Sequence, residues 1–187
     1  YGELASQLPK QSILALDETP TKEGTAKSWL WTYVAATFTV FAVRPSREAT
    51  AVTDLLGKDF AGVVHCDRAR MYLSLKQLQW CWAHLKRDFQ ALIDSGDPQA
   101  KRLGHDLMRP TREMFRLWAR YRDGTLTRLG WKRLMHPVRD RINALLLRGA
   151  FSGNPRMLGM CNELYDHRDW LWTFLEVEGV QPTNNAS

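Results

Sequence analysis

The sequence predicts an α/β protein in two parts, a mixed sheet of about five strands with flanking helices and then an all-helical segment. Three observations carry this. Short runs rich in β-branched and aromatic residues recur as far as Trp82 and alternate with helical patterns. No such run follows residue 98. Beyond that point apolar residues recur at helical spacing between two similar capping signals.

Residues 12–16 form an apolar run that ends on Asp17-Glu18, a buried strand finishing in acid, with Pro20 and Gly24 nearby as chain breakers. Residues 29–35 and 38–43 read as successive antiparallel strands. Arg44-Pro45-Ser46 stops the third strand, and Ser46 is placed to cap a helix over 47–56 that Gly57 closes. Residues 62–66 form a fourth strand, again ending on an acid, Asp67. A fifth strand over 78–82 runs into a helix over 83–93. Ser95-Gly96-Asp97-Pro98 and Ser152-Gly153-Asn154-Pro155 each supply a helix stop, a capping side chain and a Pro at the first helical position. The first helix after them carries Leu103, Leu107, Met114, Leu117 and Tyr121, with Pro110 as a candidate kink. A middle helix carries Leu134, Val138, Ile142 and Leu145, and a last one Met157, Cys161, Leu164, Leu171 and Leu175. The implied organisation is a core over 1–95, a helical insertion over 96–178, and a segment returning to the core over 179–187.

Composition narrows the function class. At 187 residues, 44% hydrophobic and 25% charged, the chain has the make-up of a globular domain, not of a disordered or fibrous one. The longest uncharged stretch, residues 28–43, has 16 residues, short of the ~20 a spanning helix needs, so no membrane span is expected. The Tyr-Gly-Glu start reads as an internal cut without a signal peptide, and three cysteines make no disulfide framework, which points to a reducing cytoplasm. The net charge of +6 belongs wholly to the second half. Residues 101–156 hold 14 basic and 4 acidic side chains, the pattern of a surface for a polyanion such as nucleic acid.

Chemistry gathers on Asp17 and Asp67. Two carboxylates at strand ends meet if their strands are neighbours, and converging carboxylates are stabilised by divalent metal, here Mg²⁺ or Mn²⁺, which also suits phosphoryl transfer. A lone Asp after a strand is more often a plain loop or capping residue. Arg109, Arg112, Arg116 and Arg120 recur at 3, 4 and 4 residues, a row of guanidiniums on one helix face suited to phosphates. Cys81 and His84 have zinc-like spacing but lack a second pair for a tetrahedral site, so they read as packing and hydrogen-bonding residues near the strand ends. Trp118 and Trp131 read as core, with base stacking as the alternative.

Leu16-Asp17-Glu18-Thr19, Trp29-Leu30-Trp31, Ser46-Arg47, the run from Gly62 to Tyr72, and above all Cys81-Trp82-Ala83-His84-Leu85-Lys86-Arg87-Asp88-Phe89 resemble the catalytic core of insertion-sequence-66 family transposases. Arg68 stands where that family usually has Gly. The resemblance implies a ribonuclease-H-like fold with an Asp-Asp-Glu triad, of which Asp17 and Asp67 carry over as catalytic and metal-binding residues. The tail from Pro182 to Ser187 resembles the segment leading into the family's Glu, which places the third acid just past Ser187 and makes this piece inactive by itself. Two metal ions, cleavage at element ends, joining to target DNA, and DNA as partner follow from the resemblance. A homo-oligomer and element-encoded helper proteins are left open. Two other classes compete: a non-catalytic nucleic-acid-binding or truncated remnant, and a ribonuclease-H-like nuclease.

Overall fold

The computed structural model describes residues 1–184; the last three residues of the tail discussed above lie outside the described residues. After a short helix α1 (Gly2–Ala5) and a 3₁₀ turn (Leu8–Lys10), the chain builds β1 (Ile13–Glu23), β2 (Ala26–Val34), β3 (Thr39–Arg44), α2 (Ala49–Leu56), β4 (Val63–Cys66), a 3₁₀ turn (Arg70–Ser74) and β5 (Leu78–Trp80). The strands lie in the order β3-β2-β1-β4-β5. β1–β2 and β2–β3 are antiparallel, whereas β1–β4 and β4–β5 are parallel. This is the mixed five-stranded α/β sheet expected.

Strand alternation sorts the sheet into two faces. Leu14, Leu16, Trp31, Tyr33, Val40 and Ala42 share one face and are all buried. That face is covered by α2, where the Tyr33 hydroxyl donates to the Ala51 carbonyl at 2.9 Å, and by the turn over Arg70–Ser74, whose Tyr72 meets Trp31 edge-on at 6.2 Å. On the other face Phe41 and Val43 of edge strand β3 stay exposed.

Two boundaries differ from expectation. β1 does not stop at Asp17 but runs on to Glu23, pairing through Pro20 with Trp29 of β2. Its pairing with β4 ends at Ala15, so the proline ring has no strand to displace on that side. Helix α2 begins at Ala49 with Glu48 in the capping position, not at Arg47 behind a Ser46 cap. The cause is Arg47 itself, whose side chain is drawn out to Glu18.

The chain divides into two compact units, Tyr1–Ala83 with the segment from Thr173 onward, and His84–Trp172. Helix α3 (Trp82–Ile93) crosses the division. The second unit holds α4 (Pro98–Arg122), α5 (Arg128–Ala150) and α6 (Pro155–Asp166). α4 and α5 are antiparallel: Glu113 faces Arg141 and, two turns earlier, Asp106 faces Arg148. The two capping signals form as read. Asp97 accepts from Gln99 and Ala100 N–H, and Asn154 accepts from Arg156 N–H. The caps also bind each other, Asn154 Nδ2 donating to Asp97 Oδ2 at 3.1 Å. The Ala100 amide foremost, then Asn154, holds the Asp97 carboxyl below its usual range. In α5 the buried stripe is Trp131, Met135, Val138, Ile142 and Leu146. Val138 and Ile142 are buried as read in the sequence, whereas Leu134 is exposed and Leu145 half-buried, their neighbours Met135 and Leu146 taking the core positions. The expected last helix is three pieces, α6, a 3₁₀ turn (Arg168–Leu171) and α7 (Thr173–Glu176). α4 continues through Pro110. Among the described residues no helix is long and apolar enough to cross a membrane.

Gly62 sets how closely β4 approaches β1. A Cβ there would lie 2.5 Å from the Gln11 carbonyl oxygen and 2.9 Å from that of Ser12, both backbone atoms that cannot swing away. Gly62→Ala is therefore expected to destabilise the first unit by about 1–3 kcal/mol, as overpacking against a fixed neighbour does, measured by urea denaturation.

Candidate active site

The parallel ladder fixes the positions of the acids. Ile13, Leu14 and Ala15 pair with Val63, Val64 and His65, a constant offset of 50 residues. Carried two residues past the last pair, that offset would set Asp17 level with Asp67, which lies just past the end of β4. The β4–β5 ladder pairs Cys66 with Trp80, which levels Asp67 with Cys81. Asp67 and Cys81 follow directly on the ends of β4 and β5, while Asp17 lies within β1, just past the part of that strand that pairs with β4. Asp17 is exposed and Asp67 half-buried. Asp67 Oδ1 accepts from the Ala69 amide at 2.8 Å, which folds the chain back after β4. Burial foremost, then the neighbouring charges of Asp67 and Glu18, pushes the pKa of the Cys66 thiol well up.

The segment from Thr173 onward is stitched along β5. Thr173 Oγ1 donates to the Leu78 carbonyl at 2.5 Å, Phe174 N to Gln79 Oε1 at 2.8 Å and Trp82 N to the Pro182 carbonyl at 2.9 Å. At the end of this seam the buried Cys81 thiol donates to Asn184 Oδ1 at 3.0 Å. The cysteine of the Cys-Trp-Ala-His block therefore anchors the returning chain at the end of β5. His84 is half-buried and its Nδ1 is enclosed without a protein hydrogen-bond partner among the described residues.

A second cluster was not singled out from the sequence. Glu18 follows Asp17 and so points to the opposite face of β1. Its side chain is 1% exposed. Oε2 accepts from the Tyr72 hydroxyl at 2.5 Å, and Oε1 accepts from Arg47 Nε at 2.6 Å and from Nη2. Burial raises the Glu18 pKa, and the bonds from Tyr72 and Arg47 work against that rise. A buried carboxylate without such partners costs several kcal/mol. Arg47 Nη2 also lies 3.7 Å from Asp67 Oδ2, so the guanidinium spans the two acids. Glu18, Trp29, Arg47 and Tyr72 all fall inside the strings that carry the family resemblance. That membership was the available signal.

The row of arginines is placed on the exposed side of α4. The acids of that helix, Asp106 and Glu113, are taken by Arg148 and Arg141 of α5. Arg109, Arg112, Arg116 and Arg120 have no ion-pair partner among the described residues. Arg109, Arg112 and Arg116 join Lys86 and Phe115 around an open groove of about 730 Å³, whereas Arg120 lies one turn further along. Trp131 is fully buried, stacked on Tyr121 at 4.5 Å between ring centres, and Trp118 packs against both.

The structure thus combines a mixed α/β sheet that carries Asp17 and Asp67 with a separate basic helical unit. The family described as Transposase IS66 family matches over residues 1–187, and the chain belongs to it. Comparisons with curated proteins and with solved structures each find no match.

If the Cys81–Asn184 bond anchors the returning chain, Cys81→Ala speeds amide exchange at Thr183 and Asn184 by about fivefold, the worth of one hydrogen bond, while Cys81→Ser, which keeps a donor, holds it near wild type. Hydrogen exchange read by mass spectrometry checks both.

Proposed function

We propose that this chain is the strand-cleaving and strand-joining core of a DNA transposase, built on a ribonuclease-H-like sheet, with Asp17 and Asp67 as its catalytic carboxylates. The observation that supports this best is the offset of the β1–β4 ladder, which carried two residues past its last pair would set Asp17 level with Asp67. Their oxygen donors suit Mg²⁺ or Mn²⁺, hard cations that fill remaining positions with water and substrate phosphate oxygens. Among the described residues no group of three His, Cys, Asp or Glu could hold a metal, so the two aspartates supply only part of a coordination shell. Bound metal would supply charge neutralisation at the attacking and leaving oxygens.

The residues of the chain do the rest. Asp17 and Asp67 hold negative charge at a fixed spacing on a rigid sheet. Cys81 and Asn184 tie the returning segment to the end of β5, beside Asp67 in the sheet. The basic side of α4 tracks DNA backbone, which suits a reaction governed by positioning and charge. DNA is then the partner, both as element end and as target, with the cytoplasm as the setting.

The deciding experiment is Mn²⁺-dependent nicking of labelled element-end DNA by a chain extended past Ser187. Asp17→Asn and Asp67→Asn are each expected to lower the rate by about 10³-fold or more, the loss of several kcal/mol of transition-state stabilisation. Retained nicking in either variant would sink the assignment and leave a binding module. A separate measurement addresses α4. Arg112→Glu with Arg116→Glu weakens binding to all duplex sequences and makes the plot of log affinity against log salt shallower by about 2, near 0.9 per lost phosphate contact. An unchanged slope would return these arginines to plain surface.

A further inference from the structure

We propose that Arg47 is a phosphate-binding residue of the site, held ready by Glu18; this rests on the transposase reading above. Four features of the geometry point there. Glu18 spends both carboxylate oxygens inside the protein, one on Tyr72 and one on Arg47, so it is a clamp and not a third acid for metal. The clamp uses Nε and Nη2 of the guanidinium and leaves Nη1 without a partner among the described residues. The Arg47 side chain is 40% exposed and its Nη2 lies 3.7 Å from Asp67 Oδ2, so part of the guanidinium is open to solvent beside that acid. Its guanidinium also sits 5.2 Å from the Trp29 ring centre, a ring that Lys27 approaches at 5.4 Å, so a second cation stands close by.

A guanidinium with one edge fixed and the other open has the fork geometry that binds phosphate oxygens, and fixing it in advance removes the entropy cost of ordering a long side chain. Close to carboxylates such a cation offsets the repulsion that a DNA backbone would meet. The ligand it fits is a phosphodiester drawn up to Asp17 and Asp67.

The clamp makes a prediction that charge alone does not. Glu18→Gln removes a negative charge, so simple electrostatics predicts tighter DNA binding. Release of Arg47 predicts weaker binding. The test measures affinity of the 187-residue chain for a short DNA duplex at fixed salt without divalent metal, for wild type, Arg47→Gln, Arg47→Lys, Glu18→Gln and the exposed control Lys58→Gln. Arg47→Gln is expected to lose about tenfold, as for a charged hydrogen bond, with Arg47→Lys recovering only part. Glu18→Gln is expected to lose severalfold, and Lys58→Gln less than about twofold. Mn²⁺ binding, read by calorimetry, gives the second arm. Arg47→Gln is expected to tighten it severalfold because a cation leaves the vicinity of Asp67, whereas a purely structural Arg47 would loosen it. Near-native far-ultraviolet dichroism of each variant accompanies both arms. The proposal is overturned if Glu18→Gln binds DNA as tightly as wild type or more so, or if Arg47→Gln behaves like Lys58→Gln. Wild type that binds no duplex would overturn the transposase reading along with it.

Discussion

The parallel pairing of β1 with β4 is the constraint on which the site depends. Its offset of 50 residues is also the sequence distance from Asp17 to Asp67, the two aspartates that follow its last pair. Slipping that ladder by one residue would turn one strand's entire set of side chains to the other face. The register is held because Val63 and Val64 are both buried, against a β1 whose Leu14 and Leu16 are buried too. Gly62 then lets the strands close up where a side chain would meet the Gln11 and Ser12 carbonyls. Packing in the sheet interior is thus what sets distances at its carboxyl edge.

Much of this was legible in the sequence, because it rests on local signals. Strand composition, the acid after the fourth strand, and the caps Asp97 and Asn154 each follow from a few adjacent residues. What escaped was set by distant partners. Pro20 reads as a breaker until it is seen that β4 does not reach that far along β1. Ser46 reads as a cap until Arg47 is seen reaching Glu18, 29 residues away. In α5, Val138 and Ile142 are core as read, but Leu134 and Leu145 are not, because leucines occupy both sides of that helix and contact with α4 and α6 decides which side is inside. Gly149 marks the closest point of that contact, where a Cβ would meet Leu103 of α4 and Cys161 of α6.

The two units divide the work by charge. The sheet unit carries Asp17, Glu18 and Asp67. The helical unit carries the excess of cations, and its geometry keeps them available. α5 uses Arg141 and Arg148 to satisfy the acids of α4, and so leaves the α4 arginines unpaired among the described residues. Exposed ion pairs of this kind add little stability, about 0–1 kcal/mol each. Their larger effect is electrostatic bookkeeping on the surface, since each acid taken by α5 is one fewer competing with a polyanion for α4.

Asp17 and Glu18 show how two adjacent acids acquire opposite roles. Strand alternation sends one to each face of β1. Asp17 stays exposed on the face away from Glu18. Glu18 enters a site roofed by Tyr72 and Arg47, where burial drives its pKa up and two donors draw it back. A buried acid satisfied in this way gains by holding a cation still, and the cation it holds stands between it and Asp67. The clamp on one face of the sheet thereby shapes the electrostatics around Asp67. That coupling needs nothing beyond the two-residue period of a strand, and it explains why Asp-Glu in this order places an exposed carboxylate and its positive counterweight within one strand's width.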